Sequence, residues 1–532
     1  MKLSKLSLAM LSVLGTGFAT KAMALDLYVD SKTKQIFAEP GPGRTKLGSF
    51  EKVEDTAAQK ADAQAQKAEI SQIREELALK TNELRALDEH VKDQKYGELQ
   101  INDKGIKFES KDGNFEMAIN GRMQVDAQMN VADANPSLVN GNSLSSTQQL
   151  ADGANIRRAR LGVEGSYYKD FEYKFEYDFS RGNGTVAAGI TDAYINWKGY
   201  DPLGVKVGSF KEPFSLEEAT SNRWITFIER NMAVNAFSDN PNAYKTGIGL
   251  TWSQPRWTLA GALMTEPVGG GWGYSTSKHT TTGGAIGSGD GNNNRNGGSG
   301  DEGWELTGRV TALPWFEDKT KFLHVGASGS DRYYNNAGNN PMSFNAAINS
   351  NVDRTSIINT GALTSNGKTL ETVTRFGGES ALVYGPFSAQ AEYIQADISG
   401  SGYNNESLYG YYGYVTYALT GESRAYKAKT GAWDRLKPNK NFDLKNGLGA
   451  WELAAGYDYL DLNDKTILGG RAATVKFGVN WYPNSHIKMM ANFIHALQIQ
   501  SPAAARTNAG GSNVGFDGSN LDMFEMRGQV DF

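Results

Sequence analysis

Between Phe171 and Phe179 every odd position is aromatic and every even position is charged: Phe171, Tyr173, Phe175, Tyr177 and Phe179 against Glu172, Lys174, Glu176 and Asp178. Successive side chains of a strand point to opposite faces, so this segment predicts a strand with one aromatic and one charged side. A strand of a water-dissolved sandwich hides its apolar side and shows mixed polar groups on the other. One fully charged face opposite one fully aromatic face suits a wall between lipid and an aqueous channel. The same period of two recurs along the chain. Arg157, Ala159, Leu161 and Val163 alternate with Arg158, Arg160, Gly162 and Glu164. Ala193, Ile195 and Trp197 alternate with Asp192, Tyr194, Asn196 and Lys198. Val475, Phe477, Val479 and Trp481 form another outward row, and Phe524, Met526, Gly528, Val530 and Phe532 form the last.

Composition narrows the class. The mean hydropathy of −0.48 excludes a bundle of membrane-spanning helices, and no cysteine is present for disulfides, thiolate metal sites or a thiol nucleophile. A net charge of −5 argues against a nucleic-acid partner. Residues 1–24 predict a secretory signal: Lys2 and Lys5, an apolar stretch from Leu6 to Phe18, then Ala22-Met23-Ala24 before cleavage. Residues 25–50 are expected to be a short extended segment broken at Pro40-Gly41-Pro42-Gly43.

Residues 51–95 contain neither Gly nor Pro and carry apolar residues at three-four spacing. Ile70, Leu77, Leu84 and Val91 occupy one heptad position, with Ala63 upstream; Ile73 and Leu87 occupy the other, which Lys80 interrupts. So narrow a stripe is marginal in a lone helix. A periplasmic coiled coil pairing copies of the chain is therefore expected, without a fixed oligomer order; one helix packed on its own barrel is the alternative.

Residues 96–532 are expected to form a transmembrane antiparallel β-barrel. At roughly 27 residues per strand with its connection, this span holds ~16 strands. Trp197/Tyr200, Trp252/Trp257 and Trp481/Tyr482 sit at segment ends, where aromatic girdles belong. Short turns such as 200–204 and 482–485 are expected on the periplasmic face. Long Gly/Asn/Ser-rich tracts near 127–155, 267–303, 332–372, 421–447 and 501–520 are expected on the other.

Four stretches, Ile156–Gly165, Val205–Phe214 with Ser221–Arg230, Gly421–Lys427 with Gly449–Ala454, and Gly478–Asn484, resemble the phosphate-selective porin O and P family. The resemblance covers roughly residues 100–532. It implies a 16-stranded, trimeric outer-membrane channel that passes anions, with arginines and lysines along the lumen and an infolded loop after an early strand. Arg158 and Arg160 match the basic start of one strand. Lys211 ends the strand leading into the infolded loop, and Arg223 and Arg230 match the loop itself. Guanidinium groups suit an oxyanion because they stay charged and present several donors. The bracing alternative is that these cations pair with nearby carboxylates such as Glu164, Glu217, Glu218 and Glu229.

Other chemistry is sparse. His90, His279, His324, His486 and His495 show no metal-ligand spacing, and Asp458, Asp461 and Asp464 read as turn formers. No cofactor, catalytic residue or metal site is expected. The expected partners are outer-membrane lipid, further copies of the chain in a homotrimer, and permeant anions. A channel for dicarboxylates or sugars, and a stalked barrel that only tethers the envelope, stay open as alternatives.

Overall fold

A computed structural model describes residues 25–50, 57–93, 97–102, 105–132, 150–181, 189–239, 243–265, 280–281, 284–285, 303–334, 342–353, 355–363, 367–500 and 521–532. The expected signal, residues 1–24, lies outside the described residues. The chain divides into two compact units, residues 1–95 and 96–532.

In the first unit, Leu25–Asp30 is the central strand of a three-stranded antiparallel sheet, flanked by Ile36–Phe37 and Arg44–Phe50. The expected extended segment is here three short strands, with Pro40-Gly41-Pro42-Gly43 in the connection between the last two. Gly43 has a positive φ of 80°, and its carbonyl accepts from both the Ser31 amide and hydroxyl, which turns the chain back on itself. The Arg44 guanidinium then lies 3.5 Å from the centre of the Phe37 ring. A helix follows over Ala57–Asp93. Ile70, Ile73, Leu77, Leu84 and Leu87 are each more than half exposed on it, so the chain by itself leaves this stripe uncovered.

The second unit is a closed antiparallel barrel of 16 strands. We number them β1 (Phe115–Ala132), β2 (Gly153–Tyr167), β3 (Phe171–Asp178), β4 (Ile190–Tyr200), β5 (Leu203–Lys211), β6 (Tyr244–Ser253), β7 (Trp257–Met264) and β8 (Trp304–Asp318). There follow β9 (Lys321–Tyr333), β10 (Thr369–Tyr384), β11 (Phe387–Ser401), β12 (Glu406–Ala418), β13 (Ala450–Asp464), β14 (Ile467–Tyr482), β15 (Ile487–Gln500) and β16 (Asp522–Asp531). β16 closes on β1, with Met526 opposite Ala127 and Asp531 opposite Arg122. Phe532 exchanges both backbone hydrogen bonds with Gly121 at 3.1 Å. A Cβ at Gly121 would fall 2.5 Å from the Phe532 ring, so a larger residue there displaces that ring from the seam.

The alternation of β3 is realised as expected: Phe171 and Phe175 face outward while Glu176 and Asp178 are buried on the lumen side. The strand stops at Asp178, and Phe179 begins a short 3₁₀ turn. Arg157 departs from its row. Arg158 pairs with Gln124 and Ile156 with Val125, so Arg157 is a bulged residue with no partner across the ladder. The bulge turns it away from lipid and into the lumen.

Short connections such as 168–170, 201–202 and 385–386 gather at one end of the barrel. The tract 421–447, expected among the long loops, lies instead at this short-turn end, in the connection 419–449 between β12 and β13. Strand parity decides the side, and the tight connections 402–405 and 465–466 at the opposite end hide that parity from a reading of loop lengths.

Two long connections from the opposite end fold inward: 212–243 after β5, and 342–363 between β9 and β10. Phe214, Phe227 and Met232 of the first pack with Phe344, Ile348 and Ile358 of the second. Both rest on Ile394, Leu408, Leu460 and Ile494 of the wall, all buried. The interior along β11–β15 is thus partly an apolar core, where sequence alternation had predicted only water. Each such side chain contributes about 1.5–3 kcal/mol by burial, which fixes both loops inside the barrel.

Candidate functional site

Against the lumen side of β1–β5 the infolded loop meets a cluster of buried charged side chains. Its geometry follows from strand register. Arg122, Arg160 and Asp178 are direct neighbours across β1, β2 and β3. Two cations side by side would repel; carboxylates of β3 offset them. Arg160 donates through Nε to Asp178 at 2.8 Å and through Nη1 to Glu176 at 2.9 Å and to the Tyr244 hydroxyl at 3.1 Å. Arg122 shares Glu176 and donates to Asn222 of the infolded loop at 2.5 Å.

Toward the long-loop end, Glu229 of the infolded loop is the hub. Bulged Arg157 grips it with Nε at 2.8 Å and Nη2 at 3.0 Å, and Arg527 of β16 reaches it at 2.8 Å while holding Asp126 with two hydrogen bonds of 2.6 and 2.7 Å. Arg158 is 3.9 Å from Glu229, donates to Gln124 at 2.9 Å and leaves its buried Nε–H without a partner.

The remaining expected site residues separate into braces and lumen-facing groups. Arg230 is buried and ties the infolded loop to itself, contacting Glu218 at 3.1 Å and the carbonyls of Glu217 and Thr220. Lys211 contacts the Glu218 carboxylate at 2.6 Å yet keeps 19% of its side chain exposed. Arg223 lies 3.7 Å from both Glu176 and Asp531, its guanidinium makes no hydrogen bond, and it is 14% exposed. Thus Arg158, Arg160 and Arg230 are buried, while Lys211 and Arg223 keep part of their side chains exposed.

Three participants escape a reading of the sequence. Arg157 is hidden by its bulge, and Arg527 by lying on a strand identified only as the barrel's end. Arg435 comes from the connection at the short-turn end, reaching Asp531 of β16 with 19% of its side chain exposed. A pattern unites the accessible pairs. Arg157 is 14% exposed over a Glu229 at 5%, Lys211 19% over Glu218 at 0%, Arg223 14% over Glu176 at 0%, and Arg435 19% over Asp531 at 1%. In each the cation keeps part of its side chain exposed and the carboxylate is buried.

Asp458 is not a turn residue. It lies inside β13, buried, where it accepts from the Met232 amide and Asn349 side chain at 2.8 Å and faces Lys476 at 3.3 Å. Among the described residues no group of three acidic or histidine side chains could hold a metal ion. His495 faces outward and contacts Asp522 at 2.6 Å.

Comparison with known proteins bears on this arrangement. Residues 118–532 match the profile of the family described as phosphate-selective porin O and P. Porin O of Pseudomonas aeruginosa is 28% identical over 420 residues, covering 74% of this chain and 85% of that protein. An uncharacterized protein of Caulobacter vibrioides is 28% identical over 388 residues, covering 73% of this chain and 69% of its own. Among solved structures, an anion-selective porin from Comamonas acidovorans aligns with a TM-score of 0.44 at 10% identity, over 79% of this chain and 100% of its own. The outer-membrane channel DcaP of Acinetobacter baumannii aligns at 0.42 and 12%, over 80% and 99%.

Proposed function

Because this chain belongs to the phosphate-selective porin O and P family, and is an outer-membrane porin rather than an enzyme, we propose that it passes small anions, phosphate foremost, by passive diffusion. The observation that carries this reading is the order of charge in the lumen, with cations partly exposed and their carboxylates buried. A permeating ion meets the nearer charge more strongly, and low-dielectric walls focus that field. The surface it meets is therefore positive even though the chain is net acidic. Arg223 and Lys211 are the contact groups along this path, and Arg158, Arg160 and Arg230 hold the field and the loop in place. Guanidinium and ammonium groups replace part of an anion's water shell, and a series of them lets the ion move on.

The helix Ala57–Asp93 with its exposed stripe supports self-association, and we take it as a periplasmic coiled coil helping to hold a trimer, made after a secretory signal over residues 1–24 is removed. The test of the function is the reversal potential of single channels in a KCl gradient, with phosphate added as a blocker of chloride current. The expected result is anion preference and block by phosphate. Cation preference sinks the reading, and a barrel with no conductance leaves only a tether.

A further inference from the structure

The connection 419–449 enters the lumen from the short-turn end. Arg309 donates to its Gly431 carbonyl at 2.7 Å, Tyr426 lies 2.6 Å from His324, and the Trp433 indole donates to Gln390 at 2.5 Å. It therefore passes beneath the infolded loop and touches it, since the Trp433 amide donates to the Thr220 hydroxyl at 3.3 Å. Its Arg435 stacks over Trp224 of that loop, 4.5 Å from the ring centre. Arg435 Nη2 binds Asp531, and Nη1 contacts Asp531 at 3.3 Å, His486 Nδ1 at 3.2 Å and the Ser485 carbonyl.

Asp531 is thus shared. Arg435 binds it, and Arg223 stands 3.7 Å from the same carboxylate oxygen. Arg223 also lies 3.7 Å from Glu176, so Arg122, Arg160, Arg223 and Arg435 share Glu176, Asp178 and Asp531, which leaves one positive charge in excess over this linked group. Donors are left unused: Arg435 Nε–H makes no hydrogen bond and is not buried, and the Arg223 guanidinium makes none at all. The Trp224 ring and Asp531 hold the Arg435 plane, so its orientation is set before an anion arrives, and little further ordering cost is added on contact.

We infer that Arg435 is a further anion-contacting residue of the passage, supplied from the short-turn end, and that Asp531 positions it beside Arg223 so that one oxyanion bridges the two. This rests on the anion-channel reading and adds to it a selectivity element built from a different connection than the infolded loop.

The test is Arg435→Ala and Arg435→Lys beside the wild type, in planar bilayers with inorganic phosphate added to either side. Losing one charged contact raises the half-blocking phosphate concentration in Arg435→Ala about tenfold, with the larger change for phosphate added at the short-turn side. Its reversal potential moves toward zero. Arg435→Lys keeps the charge and most of the reversal potential but loses part of the block. If Arg435 only braces the connection, Arg435→Ala raises chloride conductance with reversal potential and phosphate block unchanged, and the inference is overturned. Unchanged block in Arg435→Lys together with unchanged block in Arg435→Ala overturns it equally. A wild type without anion preference overturns the channel reading itself and this inference with it.

Discussion

The two sides of the barrel interior invert each other. Along β1–β5 the lumen side carries Arg122, Arg158, Arg160, Glu176 and Asp178; along β11–β15 it carries Ile394, Leu408, Leu460 and Ile494 under the infolded loops. Strand lengths vary more on the charged side, from 18 residues in β1 and 15 in β2 to 8 in β3 and 9 in β5, than on the apolar side, where β11, β13 and β14 have 15–16. What this teaches is a division of labour: apolar burial places the loops, and ion pairs grade the field they leave open.

The sharpest way to break the contrast is to charge the apolar side. Leu460→Asp puts an unpaired carboxylate beneath both infolded loops, a cost of several kcal/mol. The expected outcome is release of the loops, seen as raised conductance and a lower unfolding temperature in detergent. Next in size, Glu176→Gln removes the carboxylate shared by Arg122, Arg160 and Arg223. Stability falls by about 3–5 kcal/mol because buried cations lose their partner, while reversal potentials show stronger anion preference. Smaller again is Arg223→Ala. Its guanidinium makes no hydrogen bond, so stability stays within about 0.5 kcal/mol, and anion preference drops. Arg158→Ala lowers preference too, with a measurable stability loss because it is buried. A drop in stability for Arg223→Ala equal to that of Arg158→Ala would erase the distinction between wall and contact residues. Leu77→Asp with Leu84→Asp on the helix should leave barrel unfolding unchanged and weaken the oligomer seen by light scattering.

The barrel was readable because lipid on one side and water on the other impose a two-residue period that Phe171–Asp178 states without ambiguity. The loop bearing Arg223 and Arg230 was readable by resemblance. Three things were not. A bulge moves Arg157 across the wall by one residue, and bulges leave no mark in a hydrophobicity pattern. The apolar lumen residues Ile394 and Leu460 alternate with outward Tyr393 and Tyr459, so both faces look suited to lipid. The connection 419–449 lies at the end opposite to the one its length suggests, because only a full strand count fixes the side. Carboxylate partners were legible as types but not as pairs: Arg160 is held by Glu176 and Asp178 across the ladder rather than by Glu164 on its own strand.

Asp531 and Phe532 are neighbours on the seam, one anchoring Arg435 and the other bonding Gly121 across the closure. Zipping up the cylinder and setting the Arg435 guanidinium in its place therefore depend on the same two positions, and a change that loosens one disturbs the other.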